Sequence, residues 1–198
     1  MNGCIAVNIQ DMLKAIGEEE LLDLLSDFSC PLNQEVEDFV RNKSLDFAKK
    51  KLCVTYLVIR KLGNGKTVLS GIFTLAHKAV EVSNTNISGV VRRKLSRYAR
   101  LDEESDKYNV SAFLIAQFGK NNNVLKEYSI SGNELMDLTF GILKHVQYYV
   151  GGGMVYLDCE DIEKILNFYQ SDNNRFRIFG ERISEVDQKR YLQLLKFF

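Results

Sequence analysis

From Ser111 to Tyr169 the chain reads strand, helix, strand, helix, and that order leaves few folds open. Ser111 to Phe118 is a short apolar run of strand character. Leu135, Leu138, Ile142, Val146 and Tyr149 then recur at helical spacing, and Gly151, Gly152 and Gly153 stop the helix. Met154 to Cys159 is a second apolar run. From about Asp161, a helix carries Ile162, Ile165, Leu166 and Tyr169 on one side. Two strands joined through a helical crossover lie parallel in one sheet.

The flanking segments require antiparallel pairing as well. Cys53 to Ile59 is rich in β-branched and aromatic residues, and Thr67 to Ala76 returns from a turn at Gly63-Asn64-Gly65. Two further short strands are expected near Arg175 to Phe179 and Tyr191 to Phe198. Before the hairpin, Asn8 can cap a helix with Ile9, Met12, Leu13 and Ile16 on one face, ending near Gly17. The run Leu21 to Phe28 fits helix or strand. Asn33 caps a second helix whose buried stripe is Val36, Phe39, Val40 and Phe47, with Glu35, Glu37, Asp38 and Lys49 to Lys51 in water. The fold class is mixed α/β: a mostly antiparallel sheet holding one parallel pair, with about four flanking helices. The expected organisation is one domain over 1–198, with 1–25 as an N-terminal helical extension.

Composition excludes several functions. Lysine and arginine total 26 and so do aspartate and glutamate, which removes a global electrostatic case for nucleic acid or anionic lipid. Cys4, Cys30, Cys53 and Cys159 form no C-x-x-C pair and His77 and His145 stand apart, so no metal site is expected. No secretion signal and no membrane-length apolar run is present, so a cytoplasmic location is expected. One segment is locally charged. Arg92, Arg93, Lys94, Arg97 and Arg100 are followed at once by Asp102, Glu103, Glu104 and Asp106. It is either a solvated, partly helical connection or a basic lip beside a substrate or phosphate site.

A strand that turns into a helix N-terminus offers unpaired amides and a partial positive charge to anions. Here that place is Tyr128 to Asn133, with a single glycine, Gly132; it matches neither a Walker loop nor a dinucleotide fingerprint.

With that loop, four places in order resemble the Gcn5-related N-acetyltransferase family, in its bacterial, toxin-like branch. Phe28-Ser29-Cys30 followed by Val36, Phe39 and Val40 resembles an "F-x-C, then helix" entry, and Thr55 to Ile59 the family's second strand. Ala112 to Phe118 with Ser131 to Leu135 beyond resembles its acyl-CoA pyrophosphate motif. Asp158-Cys159 through Asn167-Phe168-Tyr169, with Phe176 beyond, resembles its fifth strand, fourth helix and "F-Y-x-x-x-G-F" ending. The family's Q/R-x-x-G-x-G/A loop survives here only as Gly132, and Asn174-Arg175 stand where a glycine is usual.

The resemblance implies a fold and a chemistry. Acetyl-CoA would be the co-substrate, its pantetheine arm pairing with backbone at Ile115, Ala116 and Gln117, its pyrophosphate on amides of Ser129, Ile130, Ser131, Gly132 and Asn133. Tyr169 would be the general acid that protonates the departing thiolate. The acceptor is an amine of a small molecule, a protein or an aminoacyl-tRNA, and these stay open, as does a homodimer through strand edges. His77, Glu81 and Glu160 are each candidates for the base, with none assigned. A non-catalytic binding or regulatory protein of the same fold, its pyrophosphate loop degenerate, is the alternative.

Overall fold

The computed structural model describes residues 3–63, 66–184 and 188–198. It divides into two compact units. The first comprises 1–76 and 115–142, the second 77–114 and 143–198. Two long strands, β3 (Thr67–Ser83) and β5 (Lys107–Lys120), contribute to both. The strand order is β1-β2-β3-β5-β6-β8-β7, with β4 (Leu101–Asp102) beside β5.

In the first unit, β1 (Cys4–Asn8) pairs antiparallel with β2 (Val54–Lys61) from Cys4↔Arg60 to Asn8↔Tyr56. The segment expected as an N-terminal helical extension therefore opens with a strand ahead of the helix that Asn8 caps. Asn8 ends that strand and caps α1 (Ile9–Ile16), its side chain accepting the Gln10 N–H at 2.9 Å. Gly17 follows with φ 86°, a left-handed value that separates α1 from α2 (Glu18–Ser26). Asn33 caps the next helix through the Val36 N–H. It runs as α3 (Gln34–Asp38), a π turn (Phe39–Lys43) and α4 (Ser44–Lys49). Val36, Phe39 and Val40 are buried with Leu21, Leu25, Phe28 and Leu57 in one core cluster. The β2–β3 hairpin forms in the expected place, from Val54↔Leu75 to Lys61↔Thr67; Asn64 and Gly65 of its turn lie outside the described residues.

Glu37 departs from expectation. Instead of facing water it is 9 % exposed and accepts the buried Cys30 N–H at 2.7 Å and the Ser29 hydroxyl at 3.2 Å. Arg41 pairs with its other oxygen and donates to the Phe28 carbonyl. A helix-surface pattern could not reveal this, because the partners come from the turn before the helix. Asn121, 4 % exposed, joins the same turn by accepting from Ser29 N–H and donating to the Leu69 carbonyl.

The second unit has its own core, built on Val80, Val82, Val91, Leu95, Tyr108, Val110, Ala112, Met154, Tyr156, Phe179 and Leu195. Here β6 (Met154–Glu160) pairs antiparallel along its length with β8 (Arg190–Phe197), and β8 with β7 (Arg177–Ile183). Within the charged connection, Ser88 caps α5 (Gly89–Leu95), which buries Val91 and Leu95 and leaves its cations outside. Helix α6 (Gly132–Val150) precedes β6 and α7 (Glu163–Gln170) follows it. The buried stripe of α6 is Leu135, Met136, Thr139 and Leu143, while Tyr149 is exposed. Among the described residues no helix is long and apolar enough to cross a membrane.

Hydrogen bonding to the Cys30 amide, with help from Arg41, holds the Glu37 carboxyl below the usual glutamate range. A carboxyl whose folded value lies below its unfolded one stabilises the fold above the unfolded value and loses that contribution as pH falls through the folded one. Glu37→Gln should therefore lower the urea midpoint at neutral pH and flatten its decline between neutral and acidic pH. Parallel curves for the two proteins would show that the network carries no linkage.

Candidate active site

The approach to α6 is held by side chains of the first unit. Ser70 donates to the Tyr128 carbonyl at 2.9 Å and Arg60 to that of Ser129 at 3.3 Å, while Ile130 is buried. A shallow hollow of about 460 Å³ lies over Leu125, Lys126 and Glu127. At the helix entry, Ser131 N–H donates to the Glu134 carboxylate at 2.9 Å and Glu134 N–H to the Ser131 hydroxyl at 3.2 Å. This is a reciprocal capping box, which satisfies two of the amides that a helix start leaves open. The Ser131-x-x-Glu134 spacing signals it in the sequence. A phosphate arriving here competes with a carboxylate already on the Ser131 amide.

The strand expected to take a pantetheine arm is buried on both faces at its centre. Tyr108, Val110 and Ala112 belong to the second unit's core and Leu114 packs against it, so the period of two holds, while Phe113 between them is buried as well. The parallel ladder to β6 includes the pairs Phe113↔Val155 and Leu114↔Tyr156. Beyond Leu114, β5 continues as Ile115 buried, Ala116 exposed and Gln117 half-buried.

Tyr169 lies in the second unit, near the end of α7, with 8 % of its surface exposed. Its ring meets Phe168 and Phe176 edge-on, with centroids 5.1 and 5.7 Å away. Burial raises the phenol's pKa well above its ordinary value, and the neighbouring Cys159 adds to this. The hydroxyl is therefore protonated at neutral pH and competent as a donor. Burial, then the charges of Asp158, Asp161 and Glu160, push the Cys159 thiol up to about 12. A thiol that holds its proton so firmly is a poor nucleophile, which weighs against a covalent intermediate on sulfur.

The base candidates differ in environment. His77 shares a 3.2 Å hydrogen bond with the Ser111 hydroxyl and meets the Phe113 ring at 5.4 Å. Glu81 is paired with Lys107 and Glu160 with Lys189, each at 2.7 Å. Among the described residues, His77 is the one of the three not engaged in an ion pair. No group of three or more metal-ligating side chains occurs among the described residues. Ile115 to Gln117 and Ser129 to Asn133 fall in the first unit, and Tyr169 with the three base candidates falls in the second.

A mixed sheet with a single short parallel pair, entered by α1 to α4 and followed by α6 and α7, defines the Gcn5-related N-acetyltransferase fold. Solved structures of bacterial toxins share it. One bacterial toxin superposes with a TM-score of 0.63 at 17% identity, covering 98% of this chain and 92% of that one. AtaTR bound with acetyl-CoA gives 0.59 at 13%, covering 100% and 94%. A tyrosine-to-phenylalanine mutant of KacT gives 0.62 at 12%, covering 98% and 95%. At these identities the likeness is one of fold. No protein-family model matches the sequence, and no curated protein matches it by sequence.

Removing the capping hydroxyl isolates the helix-entry contribution. Ser131→Ala should cost about 1 kcal/mol of stability, read from the denaturant midpoint at unchanged slope. A change within error would mean that Glu134 alone holds the helix start.

Proposed function

We propose that this chain is an acetyl-CoA-dependent N-acetyltransferase that transfers the acetyl group directly to a primary amine, with Tyr169 as general acid. The observation that carries the reading is the buried, protonated Tyr169 hydroxyl near the end of α7, the helix that follows the strand paired parallel with β5. The pantetheine amides pair with Ile115, Ala116 and Gln117, and the pyrophosphate takes amides of Ser129 to Asn133. The amine nitrogen attacks the thioester carbonyl carbon, the carbon–sulfur bond breaks, and the Tyr169 hydroxyl donates to the sulfur as negative charge gathers there. The attacking amine's surplus proton leaves to water or a nearby base, of which His77 is the one not held by a cation. A buried phenol parts with its proton reluctantly, so its first contribution is a hydrogen bond to the thiolate. Alignment of amine and thioester supplies most of the acceleration.

The amine of an aminoacyl-tRNA is the acceptor class we favour. Solved relatives of this fold include AtaT complexed with acetyl-methionyl-tRNA, and the exposed cations of α5 suit phosphate contacts. AtaT bound to the C-terminus of the antitoxin AtaR, and the KacTA–DNA complex, suggest an antitoxin partner as well. The capping box favours a second reading: Glu134 on the Ser131 amide suits a protein of this fold that has given up coenzyme binding.

Calorimetry and turnover separate these readings. Tyr169→Phe should bind acetyl-CoA as the native chain does and lose about 10²-fold or more in turnover. No detectable acetyl-CoA binding by the native chain would decide for the non-catalytic reading. Glu134→Ala should tighten acetyl-CoA several-fold by clearing a carboxylate from the anion's place; unchanged affinity would place the pyrophosphate elsewhere. Because the phenol's value is raised, the rate should show no alkaline loss below about pH 10. A limb near neutrality on the high-pH side would assign the acid to another group.

A further inference from the structure

A helix leaves its last four carbonyls without partners inside the helix, and in α7 two of these belong to Phe168 and Tyr169. After α7 the chain turns at Ser171 and comes back on the helix through Asp172 to Phe176. The Phe168 carbonyl accepts two side-chain donors, the Ser171 hydroxyl and the Asn174 amide, each at 2.8 Å. The Tyr169 carbonyl accepts the Phe176 N–H at 2.9 Å. These bonds pin the last turn of α7 to a short strap.

The strap is held in shape from within. The Ser171 carbonyl accepts the Asn174 N–H at 3.1 Å and the Arg175 N–H at 2.8 Å. Arg175 adopts φ 56°, which a residue with a side chain visits at a cost, and its Nε returns to the Asp172 carbonyl at 2.6 Å. That reversal delivers Phe176 to the phenol. Phe176 is 2 % exposed, and its ring meets that of Tyr169 edge-on at 5.7 Å.

Asn174 is the member that apolar packing does not explain. Asp172, Asn173 and Arg175 are exposed, whereas Asn174 is buried, with 3 % of its surface in water. A buried amide is costly unless hydrogen-bonded, and this one meets a carbonyl that the helix itself leaves open. An apolar residue at this position could not donate, and the Phe168 carbonyl would keep the Ser171 hydroxyl alone.

Direction matters for a phenol. Its hydroxyl sits at the far end of a rigid ring, so a small rotation of the last helical turn moves the oxygen further than the backbone. A misplacement on the order of 1 Å can cost a reacting group about 10²-fold. We propose that Asn174 is a positioning residue for Tyr169, fixing the last turn of α7 so that the hydroxyl stays where a departing thiolate can take its proton. The assignment rests on the reading of Tyr169 as general acid, and Asn174 acts through that side chain.

Two readouts on the full chain test it. The variants are Asn174→Ala and the milder Ser171→Ala, which removes the other donor to the same carbonyl and keeps the test decisive if the first variant does not fold. The first readout is NMR of ring-labelled tyrosine, with the Tyr169 signal identified by its loss in Tyr169→Phe. In the native chain burial should keep that signal from titrating below about pH 10. In Asn174→Ala it should shift and titrate at lower pH, and in Ser171→Ala it should move the same way by less. A signal unmoved in both variants, whatever their melting temperatures, overturns the proposal.

The second readout is turnover of acetyl-CoA with a pool of aminoacyl-tRNA as acceptor. Asn174→Ala should lower kcat about tenfold or more while acetyl-CoA affinity changes less than about twofold. Added to Tyr169→Phe it should cost nothing further, because the hydroxyl it places is already gone. An unchanged kcat, or an equal loss in both backgrounds, would overturn the positioning role. Failure of the underlying reading looks different: Tyr169→Phe would keep native turnover, or the native chain would turn over nothing. Either result removes the catalytic part, and the ring signal still decides whether Asn174 places the phenol.

Discussion

The parallel pairing of β5 with β6 is the contact on which the second unit depends. Phe113 stands opposite Val155 and Leu114 opposite Tyr156, and two strands that run the same way need a crossover such as α6 between them. The chain enters β6 through Gly151 and Gly152 at φ 75° and 98°. A Cβ on Gly152 would come within 2.9 Å of the Phe113 ring, and one on Gly153 would strike the Tyr98 ring. The glycines therefore let the backbone leave α6 and approach Phe113 closely where the two strands pair.

Within the second unit, burial acts on two neighbouring groups of unlike chemistry. Desolvation acts on Cys159 and Tyr169 in the same direction, penalising both anions. For the thiol this lowers nucleophilicity; for the phenol it keeps the hydroxyl a proton donor. At the start of α6 the opposite problem arises, because Glu134 supplies a negative charge where the fold would receive one. A carboxylate at a helix N-terminus is stabilising by itself, so any external anion there competes with what the capping box contributes.

Much of this was legible in the residues. The strand–helix–strand order, the hairpin and the Asn8 and Asn33 caps follow from periodicity and turn chemistry. Strand β1 did not, since four residues ahead of a strong helix cap give too short a pattern to score. The last seven residues of β3, from His77 to Ser83, interleave Lys78 and Glu81 with Val80 and Val82, and polar residues in an outward phase resemble a connection. The burial of Glu37 is not legible in the helix pattern, because its partners, Ser29 and Cys30, lie outside that helix. Of the candidate site, the Ser131-x-x-Glu134 spacing carries the capping box openly, whereas the burial of Tyr169 depends on Phe176 folding back from beyond α7.

Departures from local rules are informative according to whether something nearby compensates them. Glu37 breaks the expectation for a helix surface, yet amide, hydroxyl and guanidinium groups all answer it, so the residue belongs to the architecture. Arg175 breaks a backbone preference, with φ 56°, and its Nε donates to the Asp172 carbonyl, so the turn after α7 is likewise answered by a group close in the chain.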